Sequence, residues 1–238
     1  MSRIHFFAIS ERWISAPNND AFCAEKIGDY HLFGVAAGLS DQPGLDSASG
    51  IAISSLIDSV RKMKGSPAAA LDSTVHAIET RIRARKAGSR GEARDGTHLS
   101  AGIVSDSLDS TILDTGEGDV LLITPEGIFI PRDYPHPSTP PDTGLPASSG
   151  DQKAMISHTL GEPHILKLSD FITVNIRDLF LLISSEGLHN FVTRKRIAEI
   201  VLYNGENVET SCQQLVQEAK QAGSERTITV VLVHGHLH

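Results

Sequence analysis

Along this chain the spacing of hydrophobic positions changes several times, and each change marks an element. RIHFFAIS (3–10), AFCAEKI (21–27) and HLFGVAA (31–37) read as three strands. The period then lengthens in SASGIAISSLIDSVRKMK. There Ile53, Leu56, Ile57, Val60 and Met63 fall at helical spacing, with Ser49 as the expected N-cap. A Gly-Ser-Pro break at 65–67 precedes AAALDSTVHAIETRIRARK, whose Leu71, Val75, Ile78 and Ile82 share one helical face. Its basic end, Arg81 to Lys86, suits a helix C-terminus. Over 97–130 the period returns to two, and THLSAGIV, STILDT, DVLLIT and GIFI predict a meander. FITVNI and LFLLISS are two further strands, 193–203 and 206–222 two helices, and RTITVVLVHG a last strand. This order predicts one compact α+β domain over 1–238, with two sheets covered by helix pairs. Inside it, 131–157 is expected to be a Pro-rich loop, and 234–238 a His-rich tail.

Composition narrows the function classes. The 238 residues carry 21 Lys and Arg against 29 Asp and Glu, a net charge of −8. Nucleic acid and anionic membrane are therefore poor default partners. The two cysteines, Cys23 and Cys212, lack metal-type spacing and fit a reduced compartment. No apolar run approaches the ~18 residues of a membrane span. MSRIHFFAIS has too short an apolar core for a signal peptide, so a cytoplasmic location is expected. His234, His236 and His238 would lie on one side of an extended strand and could bind zinc, copper or nickel. A mobile tail is the plainer expectation.

Short motifs add a family resemblance. Asn18-Asn19-Asp20-Ala21-Phe22, Val35-Ala36-Ala37-Gly38, Gly96-Thr97 and Gly116-Glu117-Gly118 occur in that order. They are followed by His158-Thr159-Leu160-Gly161, Leu182 to Leu188 (LISSEGL) and Thr227-Ile228-Thr229-Val230-Val231. The series resembles the protein phosphatase 2C (PPM) family of metal-dependent Ser/Thr phosphatases. The family's versions are Asn-Glu-Asp-Ala, Val-Ala-Asp-Gly, Gly-Thr-Thr, Gly-Asp-Ser, Arg-Ala-Leu-Gly, Ser-Asp-Gly-Leu and Asp-Asn-Ile-Thr-Val-Val. The resemblance covers the chain from about Ile9 to Val233 and implies a four-layer α-β-β-α sandwich. It also implies phosphomonoester hydrolysis with two Mn²⁺ or Mg²⁺ ions, hard cations that take oxygen ligands.

Carried over residue by residue, the implied metal site is depleted. The first Asp is kept as Asp20, but the Glu before it is Asn19. The bridging Asp is Ala37, beside Gly38. The Asp of Ser-Asp-Gly becomes Glu186. The last Asp falls on Arg226 in one alignment and on Ser224 in another, with Glu225 between them. The phosphate-binding Arg falls on Ser15, with Arg12 nearby. Asp20, Glu186 and Glu225 are thus the residual candidates for metal ligands, and Asn19, Ala37, Gly38 and Arg226 mark lost ones. Asp41 is a substitute donor only if its turn is rebuilt. Glu117 reads as a turn residue, and His158 and His164 as surface groups. The expectation is a catalytically impaired phosphatase-like domain, holding no metal or a single weakly bound Mn or Mg ion. Its partner would be a phosphoprotein or signalling protein. The alternatives are an active phosphatase with an altered, single-metal centre, and an interaction domain working through the Pro-rich loop or the His tail.

Overall fold

The computed structural model describes residues 2–12, 18–39, 47–88, 96–116, 119–131, 159–160 and 171–237. The chain starts with three strands, β1 (Ser2–Glu11), β2 (Asp20–Ile27) and β3 (Tyr30–Gly38). Two helices follow, α1 (Ala48–Arg61) and α2 (Pro67–Gly88). Then come β4 (Thr97–Ser105), β5 (Asp109–Asp114), β6 (Asp119–Thr124), β7 (Gly127–Phe129), β8 (Ile172–Asn175) and β9 (Leu179–Ser184). Three helices, α3 (Glu186–His189), α4 (Arg194–Asn204) and α5 (Val208–Gln221), lead to β10 (Ile228–Leu237).

The strands form two five-stranded antiparallel sheets, ordered β1-β10-β9-β6-β7 and β2-β3-β4-β5-β8. Alternating polarity along each strand separates three apolar layers. Leu32, Ala36, Leu99 and Leu113 meet Leu56 of α1 and Leu71 and Ile78 of α2. Leu121, Leu182, Val230 and Leu232 meet Ile197 of α4 and Leu215 of α5. Between the sheets lie Phe33, Val35, Leu122, Leu181, Ile183, Val231 and Val233. The four layers are therefore helix pair, sheet, sheet and helix pair, as expected from the sequence.

Four local readings are corrected. The 97–130 strands are not one meander: β4 and β5 belong to one sheet, β6 and β7 to the other. Period-two alternation marks a half-buried strand but does not select its neighbour. Second, the cap of α1 is Ser47, not Ser49. Ser47 has extended backbone (φ −68°, ψ 162°) and its Oγ accepts from Gly50 N at 3.0 Å. Ser49 already lies in the first turn, and its Oγ donates to the Asn19 carbonyl at 2.6 Å. Third, residues 234–237 are not a loose tail but the end of β10, paired with β1 from Ser2↔Leu237 to Glu11↔Ile228. Backbone pairing to a full-length neighbour overrides the polar side chains. Fourth, a one-turn helix, α3, follows β9 where only a strand end was expected. Ser15, Asp41, Glu117, His158, His164, His238 and the Pro-rich segment beyond Pro131 lie outside the described residues.

Candidate functional site

Strand register assembles the site. Asp20 pairs with Ala37 across β2 and β3, and Ala37 pairs with His98 across β3 and β4. Directly opposed residues share a sheet face, so the three side chains form one row with a methyl group at its centre. The row faces the second sheet, because Thr229 of β10 donates its hydroxyl to Asp20 Oδ2 at 2.6 Å. That bond belongs to a closed ring. Asn18 Nδ2 donates to Ser10 Oγ at 3.1 Å, and Ser10 Oγ and Thr229 Oγ1 are 2.9 Å apart. Asp20 N returns to Asn18 Oδ1 at 3.0 Å, an Asx turn. Burial pushes the Asp20 carboxyl up to about 6, and the neighbouring Glu186 charge adds to this. The hydroxyls of Thr229 and Ser185 oppose it by hydrogen bonding.

Glu186 opens α3, directly after the apolar run of β9. Its position is set by a clamp. Ser185 N donates to Thr229 O at 3.0 Å, and Ser224 Oγ to Gly187 O at 2.9 Å. A Cβ on Gly187 would collide with the Thr227 carbonyl, so only glycine lets the two segments lie this close. The clamp brings Arg226 onto Glu186, and guanidinium and carboxylate form an ion pair. Arg226 is thus the residue whose side chain meets Glu186. Ser224 is fully buried under Gly187. The Glu186 side chain keeps 21% exposure and Arg226 61%, so the pair lies at the mouth of the site rather than in its floor. Glu225 is exposed.

The remaining motifs line the same end of the sheets. Gly38 N donates to Asn19 O at 3.1 Å, and Thr97 Oγ1 to Ala37 O at 2.9 Å. Thr97 and Leu160 exchange two backbone bonds, 3.2 and 2.8 Å, docking the Thr159-Leu160 segment at the head of β4. His98 is buried, with Nε2 3.4 Å from Thr159 Oγ1. Arg12 is exposed just beyond β1. Of the residual candidates, Asp20 and Glu186 are brought together electrostatically. Sequence reading missed His98, Ser10 and Ser185. His98 was open to discovery, since two-residue alternation from Leu99 places it on the face of Ala37.

By sequence, no family model matches the chain, and no curated protein matches it either. By structure, it is similar to several bacterial phosphatases. The catalytic domain of the serine/threonine protein phosphatase PstP, solved in complex with two manganese ions, has a TM-score of 0.75 at 19% identity, covering 100% of both chains. Serine/threonine phosphatase Stp1 from Staphylococcus aureus has a TM-score of 0.74 at 16% identity, covering 98% of this chain and 95% of that one. PppA of Pseudomonas aeruginosa, described as a key regulatory component of T6SS, has a TM-score of 0.69 at 17% identity, covering 99% and 100%. Four layers, motif order and these likenesses agree: the chain has the protein phosphatase 2C-type fold.

Proposed function

We infer that this domain is a phosphatase-like protein whose hydrolytic metal centre has been replaced by internal charge pairing, and that it acts by binding a phosphoprotein or signalling partner. The observation that carries this reading is the Arg226–Glu186 ion pair beside the row Asp20–Ala37–His98. A two-metal hydrolase holds its ions ~3.5–4 Å apart, and carboxylates must offset their mutual repulsion. Ala37 supplies no oxygen at the centre of the row. One remaining carboxylate is neutralised by a guanidinium, and the other is shifted towards its protonated form. A unit positive charge 4 Å from another costs about 4 kcal/mol at an effective dielectric near 20, and a dication doubles that. This donor set does not suit a pair of manganese or magnesium ions.

The test is turnover of p-nitrophenyl phosphate and of phosphopeptides in millimolar Mn²⁺ or Mg²⁺. No metal-dependent turnover is expected. Robust turnover that disappears in Asp20→Ala would overturn the reading. Titration calorimetry with Mn²⁺ separates the single-metal alternative: binding tighter than millimolar that needs both Asp20 and Glu186 would favour it. The double variant Ala37→Asp with Arg226→Asp restores two carboxylates and should gain Mn²⁺ affinity over the parent.

A further inference from the structure

Away from this site, β1 and β2 form one flank of the molecule. Each is the outer strand of its sheet, and the two lie against one another. Alternate residues of β1 turn their N–H and C=O groups away from β10, and no described strand takes them up. An open edge of this kind is a template for another strand, and folded proteins blunt it by shortness, charge, proline or a bulge. The other described edges follow that rule: β7 has three residues, β8 four, and β2 carries Glu25 and Lys26. β1 does not. It runs for ten residues without proline or lysine, in unbroken register with β10. Its charges stand only near its ends, at Arg3 and Glu11.

The edge is unfinished in packing as well. On one face Phe7 and Ile9 reach the layer beneath α5, and on the other Ile4, Phe6 and Ala8 reach the layer between the sheets. All five are only half-buried. By contrast β9, flanked on both sides, buries every residue from Leu179 to Ser184. Phe22 of β2, on the same flank, is 40% exposed. An open cleft of about 450 Å³ runs beside β1, and five successive residues, Arg3 to Phe7, line it. Successive residues belong to opposite faces, so the backbone edge itself forms the wall of the cleft. Across it stand Glu206 and Glu209, at the start of α5.

We propose that β1 is a dimerisation edge: a second copy of this chain lays its own β1 antiparallel along it, about a two-fold axis at Phe7, and joins two five-stranded sheets into one. Charge selects this occupant. The amino end of the edge holds two carboxylates, Glu206 and Glu209, and one guanidinium, Arg3. The carboxyl end holds one carboxylate, Glu11, and two cations, Arg12 and Lys220, with Glu11 and Lys220 ion-paired. A two-fold axis sets the net acidic end of each copy against the net basic end of the other, an isologous contact. In the register centred on Phe7, Arg3 faces the partner's Glu11. A carboxylate has two oxygens, so that Glu11 can accept from its own Lys220 and from Arg3 together. Phe7 meets the partner's Phe7, and bulky Phe6 meets the partner's small Ala8, pairs that suit opposed strands. Sliding by two residues either way separates Arg3 from the partner's Glu11, so charge also fixes the register.

The test is sedimentation equilibrium of the full chain across the micromolar range. An edge-to-edge seam is narrower than a standard interface, so a monomer–dimer equilibrium with micromolar Kd is expected. Arg3→Glu and Glu11→Arg each place like charges across the seam twice, and each should weaken self-association by about tenfold or more. Arg3 is exposed and the Glu11 side chain keeps 39% exposure, so both variants should fold, as circular dichroism would report. Mixed in equal amounts, the two variants set opposite charges at both positions, and association should return to within about threefold of the parent. Independently of any variant, hydrogen exchange in residues 2–12 should slow as concentration rises, while β9 is unchanged. A chain monomeric throughout, a dimer that both single variants leave intact, a mixture no tighter than its components, or exchange in β1 indifferent to concentration would each overturn the proposal. None of these readouts depends on whether the domain hydrolyses phosphate or binds a phosphoprotein.

Discussion

Asp20→Asn tests the electrostatics of the site in one measurement. In the folded chain burial raises the Asp20 carboxyl from 3.8 to about 6, an increase of about 2 pH units. At 1.36 kcal/mol per unit, that is an upper limit of roughly 3 kcal/mol of stability. The sign is unusual for an aspartate. Between its unfolded and folded values the native state holds the proton more tightly than the unfolded state. The contribution of Asp20 is therefore most favourable below about pH 4, declines as pH rises towards 6, and is a constant penalty above that. Asparagine removes the titration while keeping an oxygen to accept the 2.6 Å bond from Thr229. Urea unfolding of both proteins at pH 4 and pH 7.5, in chelator, should show the parent losing roughly 2–3 kcal/mol relative to the variant. For a chain of this size that corresponds to a relative fall in melting temperature of about 5–10 °C. A parent-minus-variant difference that is flat with pH, or that grows in favour of the parent, would refute the reasoning. It would mean that water or a cation compensates the buried carboxyl.

Other substitutions probe other contacts. Gly187→Ala drives a methyl into the Thr227 carbonyl and should cost more than about 3 kcal/mol by denaturant unfolding, far above the ~1 kcal/mol typical of a point change. Arg226→Ala removes a largely exposed guanidinium, so stability should change by less than about 1 kcal/mol, while calorimetry should show tighter Mn²⁺ binding as Glu186 is released. Ser47→Ala deletes the α1 cap and should lower stability by about 1 kcal/mol, with a matching loss of protection in the first turn by hydrogen exchange. Leu182→Ala opens a void beneath α4 and α5 and should cost about 2–5 kcal/mol in the same unfolding assay.

Much of this architecture could be read before any coordinates, because its signals are local. Leu71, Val75, Ile78 and Ile82 declare a helix face within twelve positions, and all four are buried as expected. What local patterns lack is partner choice. DVLLIT looks like the natural neighbour of STILDT, yet the two strands lie in different sheets. His234 and His236 look solvent-bound by composition, yet a ten-residue pairing with β1 makes them strand. At the site, the lack of an acidic side chain at Ala37 is legible in the sequence itself. The fate of Glu186 was not, because its partner Arg226 is forty positions away and reaches it only through the Ser224–Gly187 clamp. Asp20 illustrates both limits. Its Asx turn is written in Asn18, whereas its bond to Thr229 spans 209 positions and joins two sheets.

The pairing of β1 with β10 has a consequence for biosynthesis. A ribosome releases β1 more than two hundred residues before β10, its one hydrogen-bonded neighbour among the described strands, emerges. Until then Phe7 and Ile9 have no β10 beside them to complete their apolar layer. The β2-β3-β4-β5 sheet, whose strands pair in order of synthesis, can close early with α1 and α2 upon it. The β1-β10-β9-β6 sheet must wait, so nascent chains should present a half-built molecule with one exposed strand, the state in which chaperone engagement or mispairing is most favoured.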